Sequence, residues 1–356
     1  MIEENFRQHD EDIEDESGEQ QELYEHFHLE VDKGQSPLRI DKFITSKIQS
    51  VSRSRVQSAA DTGNILVNGK SVKSSFKVKP LDSISIVMAY PPRDVEIVPE
   101  NISLNILYED DDLIVVNKEA GMVVHPGHGN FSGTLVNALM YHLRDVPLFS
   151  TGEVRPGLVH RIDKNTSGIL VIGKTEFAMN HLARQFFERT TKRRYIALVW
   201  GDMVEDEGTI EANIGRSMRD RKKMQVFTDG EEGKHAITHW RVIERLGYVT
   251  LIECRLETGR THQIRVHMEY IRHPIFNDET YGGDTIVKGT TFTKYKQFIQ
   301  NCFAICPRHA LHAKSLGFVH PTSKKEMYFE TDIPNDIAEV VERWQVYTSA
   351  RPSELE

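Results

Sequence analysis

Gly157-Leu158-Val159-His160-Arg161-Ile162-Asp163-Lys164-Asn165-Thr166-Ser167-Gly168-Ile169-Leu170-Val171 joins a charged loop, bounded by glycines, to a strongly apolar run. The run Ile169 to Ile172 predicts a buried strand, so Asp163 stands at the edge of a rigid sheet. Loops in such places often carry function. In isolation the same loop also reads as a turn whose aspartate caps a backbone amide. Upstream, Leu113 to Val116 predicts a second buried strand and Thr134 to His142 a helix. Downstream, Thr175 to Arg189 predicts a helix with Ala178, Leu182 and Phe186 on one face. Tyr195 to Val199, His235 to Ile243 and Val249 to Leu256 read as strands, and Gly259 to Ile271 as a turn and a helix stopped before Pro274. Strands outnumber helices and several links between them are short. The expected class is therefore α+β rather than a doubly wound sheet.

The remaining sequence divides by charge. Residues 1–32 carry 13 acidic side chains against one Arg, which predicts a solvated, disordered acidic tail. Residues 33–90 carry 10 basic and 3 acidic residues, a net of +7 hidden within a whole-chain charge of −9. That segment has its own pattern. Ile40, Phe43, Ile44 and Ile48 fall at helical spacing, and Ser52 can cap a second helix starting at Arg53. Ile65-Leu66-Val67 reads as a strand followed by an Asn68-Gly69 tight turn, and Asp82 to Val87 as another strand. A small basic α/β module suits nucleic acid, and a solvated basic surface explains the charge equally well. The divisions are then tail 1–32, module 33–90, linker 91–104, main domain 105–335 and a C-terminal helix and tail 336–356. No stretch approaches the ~20 apolar residues of a membrane helix. The start lacks a signal-peptide pattern, and Cys254, Cys302 and Cys306 are too few for a disulfide framework. A cytoplasmic protein without a membrane partner is expected.

The opening segment resembles the catalytic motif of the RluA-type pseudouridine synthases, His-Arg-Leu/Ile-Asp followed by Thr-Ser/Thr-Gly. Four further segments match that family in order. They are Val116 to Pro126, Arg194-Tyr195-Ile196-Ala197-Leu198-Val199, Thr258 to His267, and Arg308 to Ala313 with His320-Pro321. The basic module is similar to the S-four-type RNA-binding domain through Arg39 to Phe43, Ser52-Arg53-Ser54 and Val67 to Lys70. Asp163-Lys164 and the insert from Lys288-Gly289 to Ala313 resemble the RluD subgroup, which acts on large-subunit ribosomal RNA.

The resemblance implies the pseudouridine synthase fold, with a central, mainly antiparallel sheet flanked by helices and loops, no cofactor, and catalysis by Asp163, Tyr195 and Arg265. Asp163 would be the nucleophile, kept ionised by a guanidinium from Arg265, with Arg260 as the reserve. Tyr195 would stack on the uracil and help remove a proton. His160, Arg161, Arg260 and His262 would bind the substrate, with a cation at His160 or Arg161 filling the space left when the uridine leaves its stack. Arg53, Arg55 and Lys70 would bind RNA from the module, and Arg216, Arg221 and Lys222 from a basic loop. Without the resemblance, each of these reads as an ordinary surface cation, core tyrosine or structural histidine.

Cys302, Cys306, His309 and His312 mimic a zinc spacing, but period two would point the two histidines to opposite faces, so no metal is expected. No glycine-rich phosphate loop indicates a nucleotide cofactor. The expected protein is a monomer acting on large-subunit ribosomal RNA. Transfer RNA is an alternative substrate, and an inactive ribosome-assembly factor an alternative function. A glycosidase needs paired carboxylates, and nothing sets Glu153 or Glu176 opposite Asp163.

Overall fold

The computed structural model describes residues 24–48, 51–88, 97–126, 130–150, 157–217, 220, 223–228 and 232–350. They form two compact units divided at residues 96 and 97.

The first unit contains strands β1 (Tyr24–Glu30), β2 (Leu38–Arg39), β3 (Ile65–Val67), β4 (Lys70–Ser71), β5 (Lys77–Val78) and β6 (Ser83–Met88). Two helices, α1 (Ile40–Lys47) and α2 (Arg53–Asp61), complete it. Strand order is β1-β6-β3-β4, with β2 and β5 paired separately. The predicted stripe is real: Ile40, Phe43, Ile44 and Ile48 are buried with Val56, Ile65 and Ile84. Asn68 and Gly69 both adopt positive φ, as the tight turn between β3 and β4 requires.

Two expectations need correction here. The acidic tail does not extend to residue 32, because Tyr24–Glu30 pairs antiparallel with β6 and Val31 is buried. Phe27, Leu29 and Val31 recur at period two and pack on the core, a strand pattern masked by the surrounding acids. Ser52 precedes α2 as expected, but its hydroxyl meets Ser54 and caps no backbone amide.

The second unit is built on one large sheet. Its strands are β7 (Ile106–Glu109), β8 (Leu113–Lys118), β9 (Ser167–Gly173), β10 (Lys192–Trp200), β11 (Glu207–Arg216), β12 (Met224–Phe227), β13 (Lys234–Arg245), β14 (Val249–Leu256), β15 (Leu311–Val319) and β16 (Glu326–Glu330). Their order is β12-β11-β13-β14-β10-β15-β9-β8-β7, with β16 also on β15. Every pairing is antiparallel except that of β15 with β9.

The helices of two turns or more are α3 (Leu135–His142), α4 (Glu176–Phe187), α5 (Gln263–Tyr270), α6 (Thr293–Ile305) and α7 (Asn335–Ser349), and a single turn spans Pro147–Ser150. Strand β9 is apolar from Ile169 to Ile172 because both its faces are covered. Leu170 and Ile172 enter the main core with Leu135, Trp200 and Trp344, while Ile169 and Val171 pack with Leu182 and Phe318. The expected linker is shorter than 91–104. Ile97 and Leu104 pack on the main core, and the Glu100 amide donates to the Asn137 carbonyl.

The parallel junction between β9 and β15 fixes where the catalytic-motif loop ends. Gly168 sits there at φ +123°, and a Cβ would collide with the Ala313 carbonyl. Gly168→Ala should therefore cost on the order of 3 kcal/mol. Thermal unfolding of the purified variant checks this, and an unchanged midpoint would contradict it.

Candidate active site

The loop before β9 is held mainly through its carbonyls. The Lys118 ammonium, almost wholly buried, donates to the carbonyls of Glu119 (2.7 Å), Met122 (2.8 Å) and Lys164 (3.1 Å). Burial, helped by the charge of Arg308 and opposed by those of Asp163 and Glu119, pulls this ammonium down to about 7. Arg308 is paired with Asp336 at 2.7 Å and donates to the carbonyls of Asn165 and Leu311. The Thr166 hydroxyl meets His309 Nε2 at 2.8 Å, and the Ser167 hydroxyl meets His312 Nδ1 at 2.9 Å. His309 precedes β15 rather than lying in it, and both histidines are engaged with the catalytic-motif strand.

This clamping presents the Asp163 carboxylate to a cavity of about 500 Å³. Among the described residues the carboxylate caps no backbone amide. Its Oδ2 accepts from Arg265 Nη1 at 3.1 Å and lies 3.8 Å from His262 Nε2, while Oδ1 accepts no hydrogen bond among the described residues. Burial would raise the Asp163 pKa. The charges of His262, Arg265 and His309 outweigh burial and hold it below its ordinary value. Burial also lowers His262, and lowers His309 to about 4, so at neutral pH the lasting cation is Arg265.

Arg265 is aimed by a second carboxylate. Asp278, wholly buried, accepts from Arg265 Nε at 2.7 Å and Nη2 at 2.8 Å, leaving Nη1 for Asp163. Asp278 is itself fixed by the amides of Thr280 and Tyr281. The Tyr281 ring lies 5.0 Å from the guanidinium, and its hydroxyl meets His262 Nδ1 at 2.8 Å. His262 takes positive φ at the start of α5, and Gln263 closes the turn by accepting from the Arg260 amide and the Thr258 hydroxyl.

Tyr195 lies on β10 with its ring in the cavity wall and its hydroxyl without a hydrogen bond among the described residues. Burial, opposed by Arg193, raises its pKa, so it is a neutral phenol at ordinary pH. The remaining sequence candidates separate. Arg161 lines the cavity without an ion pair among the described residues, and Arg260 lines it while donating through Nε to the His235 carbonyl. His160 lines it too, but its Nε2 accepts from the Val171 amide and its ring stacks on Phe186 at 4.3 Å. Burial drives His160 down to about 3, so it is a neutral structural group and not a cation for RNA.

Arg216, at the exposed end of β11, does not line the cavity. Arg221 and Lys222 lie outside the described residues. In the first unit, Arg53 donates to the buried Asp41 carboxylate at 2.9 Å, which also takes Arg39, so part of its charge is spent within the fold. Arg55 and Lys70 are partly or fully exposed there.

Residues 112–270 match the family model described as RNA pseudouridylate synthase, and residues 38–84 match the S4 domain. A protein of Chlorobaculum parvum named as an RNA pseudouridine synthase is 46% identical over 327 residues, covering 91% of this chain and 99% of its own. A protein of Zymomonas mobilis named ribosomal large subunit pseudouridine synthase D is 43% identical over 301 residues, covering 84% and 91%. The solved human RNA pseudouridylate synthase domain containing 4 shares the fold, with a TM-score of 0.53 and 23% identity over 68% of this chain and 93% of its own.

Fold and matches together define an enzyme that isomerises uridine within RNA. The chain belongs to the RNA pseudouridine synthase family, in the part that carries an N-terminal S4 domain, with relatives named for the large ribosomal subunit. No helix among the described residues is long and apolar enough to cross a membrane.

Asp278→Asn keeps the side-chain shape but removes the charge that orients Arg265. Turnover should fall by about 10²-fold, the scale of a misplaced catalytic group, with RNA affinity little changed. Single-turnover kinetics beside a binding isotherm check this. Loss of affinity with turnover intact would contradict it.

Proposed function

We propose that this pseudouridine synthase acts in the cytoplasm, as a monomer, on uridines of large-subunit ribosomal RNA, with Asp163 as its nucleophile. The observation that carries the nucleophile is the Asp163 carboxylate itself, ionised beside Arg265 with Oδ1 open to the cavity. The substrate rests on relatives named for the large ribosomal subunit and on the basic S4-type unit, where Arg55 and Lys70 can meet RNA phosphates.

Isomerisation breaks the bond between the ribose C1′ and uracil N1, turns the uracil, and joins C1′ to C5. A proton leaves C5 and one is gained at N1, so atoms balance without a cofactor. Asp163 Oδ1 attacks the uridine, at the sugar or at the ring, and the ester or adduct holds that fragment while the base turns. Arg265 keeps the attacking carboxylate charged in a cavity that shields it from water. Tyr195 stacks on the uracil, and its unpartnered hydroxyl is the group closest in kind to a carrier for the C5 proton. Because burial keeps it protonated, it must first pass on its own proton, for which the Asp163 carboxylate is an acceptor once the C1′–C5 bond has formed and released it, and Asp163 then gives that proton to N1. Arg161, cationic and without an ion pair among the described residues, fills the place the flipped nucleotide leaves in its stack.

Pseudouridines in large-subunit ribosomal RNA should disappear from specific positions in cells lacking this protein. They should return with the wild-type chain and not with Asp163→Ala. An unchanged map, with losses in transfer RNA instead, would shift the substrate; restoration by Asp163→Ala would remove the nucleophile.

Tyr195→Phe should keep RNA affinity within about threefold and lose at least 10²-fold in turnover, the contribution expected of one proton-transfer group. Tyr195→Leu should weaken both. Kinetics and binding on one RNA distinguish them, and equal behaviour of the two variants would contradict the split.

Removing a cation raises the pKa of a neighbouring carboxylate. In Arg265→Met the acidic limb of the pH–rate profile should therefore move up by about 1–3 units. An unmoved limb would mean that Arg265 does not control Asp163.

A further inference from the structure

Strand β10 carries a second side chain into the cavity besides Tyr195. Arg193 lies two residues earlier and on the same face, since side chains alternate along a strand. It lines the cavity and is only 8% exposed. Even so, it makes no hydrogen bond or salt bridge among the described residues, and its Nε is buried without a partner.

Among the described residues, no carboxylate pairs with Arg193. Its guanidinium lies 5.5 Å from the Phe186 ring, and Phe186 stacks on the neutral His160. Glu257, on the cavity wall, is engaged by His239 at 2.7 Å. Asp163 is committed to Arg265. Arg161 and Arg189 line the same cavity without ion pairs among the described residues, adding to the positive potential. Gly259 leaves room for the group, because a Cβ there would lie 3.0 Å from Arg193 Nη1.

A buried guanidinium without a counter-ion is unfavourable, and its planar fork suits two oxygens of one phosphate. We propose that Arg193 is a phosphate subsite, which binds the RNA phosphodiester adjoining the uridine whose base stacks on Tyr195. The two side chains start about 7 Å apart along β10, a span that the ribose of that nucleotide bridges. Arg193 thus holds the sugar–phosphate end while the freed uracil turns. This rests on the reading that the uridine occupies the cavity.

The test is a double-mutant cycle between protein and RNA. The probe is a fragment of large-subunit ribosomal RNA around a uridine the wild-type enzyme isomerises, with a neutral methylphosphonate on either side of that uridine. Binding is measured with the full chain carrying Asp163→Asn, so that no RNA is turned over, with and without Arg193→Gln. One methylphosphonate and Arg193→Gln should each weaken binding about tenfold, and together no more than either alone. Arg193→Gln should also flatten the dependence of log affinity on log salt by about 0.7, the share of one phosphate on single-stranded RNA. Losses that multiply, or an Arg193→Gln chain with unchanged affinity and salt slope, overturn the subsite.

If Arg193→Gln does not fold, Arg193→Lys keeps the charge, and the methylphosphonate scan needs no variant at position 193. No sensitivity at either flanking phosphate refutes the proposal by itself. Release of tritium from uracil C5 is followed in parallel. If the wild-type chain releases none from large-subunit RNA, the substrate reading fails, and the cycle is run on whichever RNA it does isomerise.

Discussion

The guanidinium of Arg265 stands between two carboxylates of unequal freedom, and the arrangement of the catalytic unit follows from that. Asp278 is wholly buried and takes two of the nitrogens at 2.7 and 2.8 Å. Only Nη1 remains, and it reaches Asp163 at 3.1 Å. A single shared cation could neutralise either acid. The geometry divides the work, with one carboxylate as an anchor and the other, at the cavity wall, keeping an unbonded oxygen. Burial alone would drive Asp163 toward its neutral, unreactive form, so the fold must supply a cation that cannot swing away.

Holding such a group requires that several distant segments agree on one position. The Asp163 loop is tied by Lys118 from the end of β8 and by Arg308 from the approach to β15, both acting on backbone carbonyls. Arg265 comes from a helix whose first turn is closed by Gln263, and Asp278 from the loop that follows. The large sheet provides the common frame. Its parallel contact between β9 and β15 sets Ser167 beside His312, and glycine at 168 lets the two strands approach.

Much of this was legible in sequence wherever burial leaves a periodic mark. The apolar run of β9 stood out because both faces are covered, and Asp163 was conspicuous as a charge at its edge. The motif order brought Tyr195 and Arg265 into view. Asp278 left no such mark: an acid in a short loop looks solvated until the chain folds it against Arg265. Lys118 and Arg308 sat inside the quoted motifs, yet nothing in their spacing shows that they bind carbonyls. His160 misled for the opposite reason, since a histidine beside a catalytic loop suggests a ligand contact, while its ring accepts a backbone amide. β1 was hidden because its inward Phe27, Leu29 and Val31 are scattered among acids.

The central claim is that Asp163 is an ionised carboxylate in a buried site because Arg265 holds it so. The direct measurement is a titration of its carboxyl carbon by NMR in aspartate-labelled protein, with the resonance assigned by its absence from Asp163→Asn. The account predicts a midpoint below the ordinary aspartate value of about 3.9. A midpoint at or above that value would show that burial wins over the charges of His262, Arg265 and His309, and an unmoved midpoint in Arg265→Met would show that Arg265 is not the group responsible; either would contradict the account.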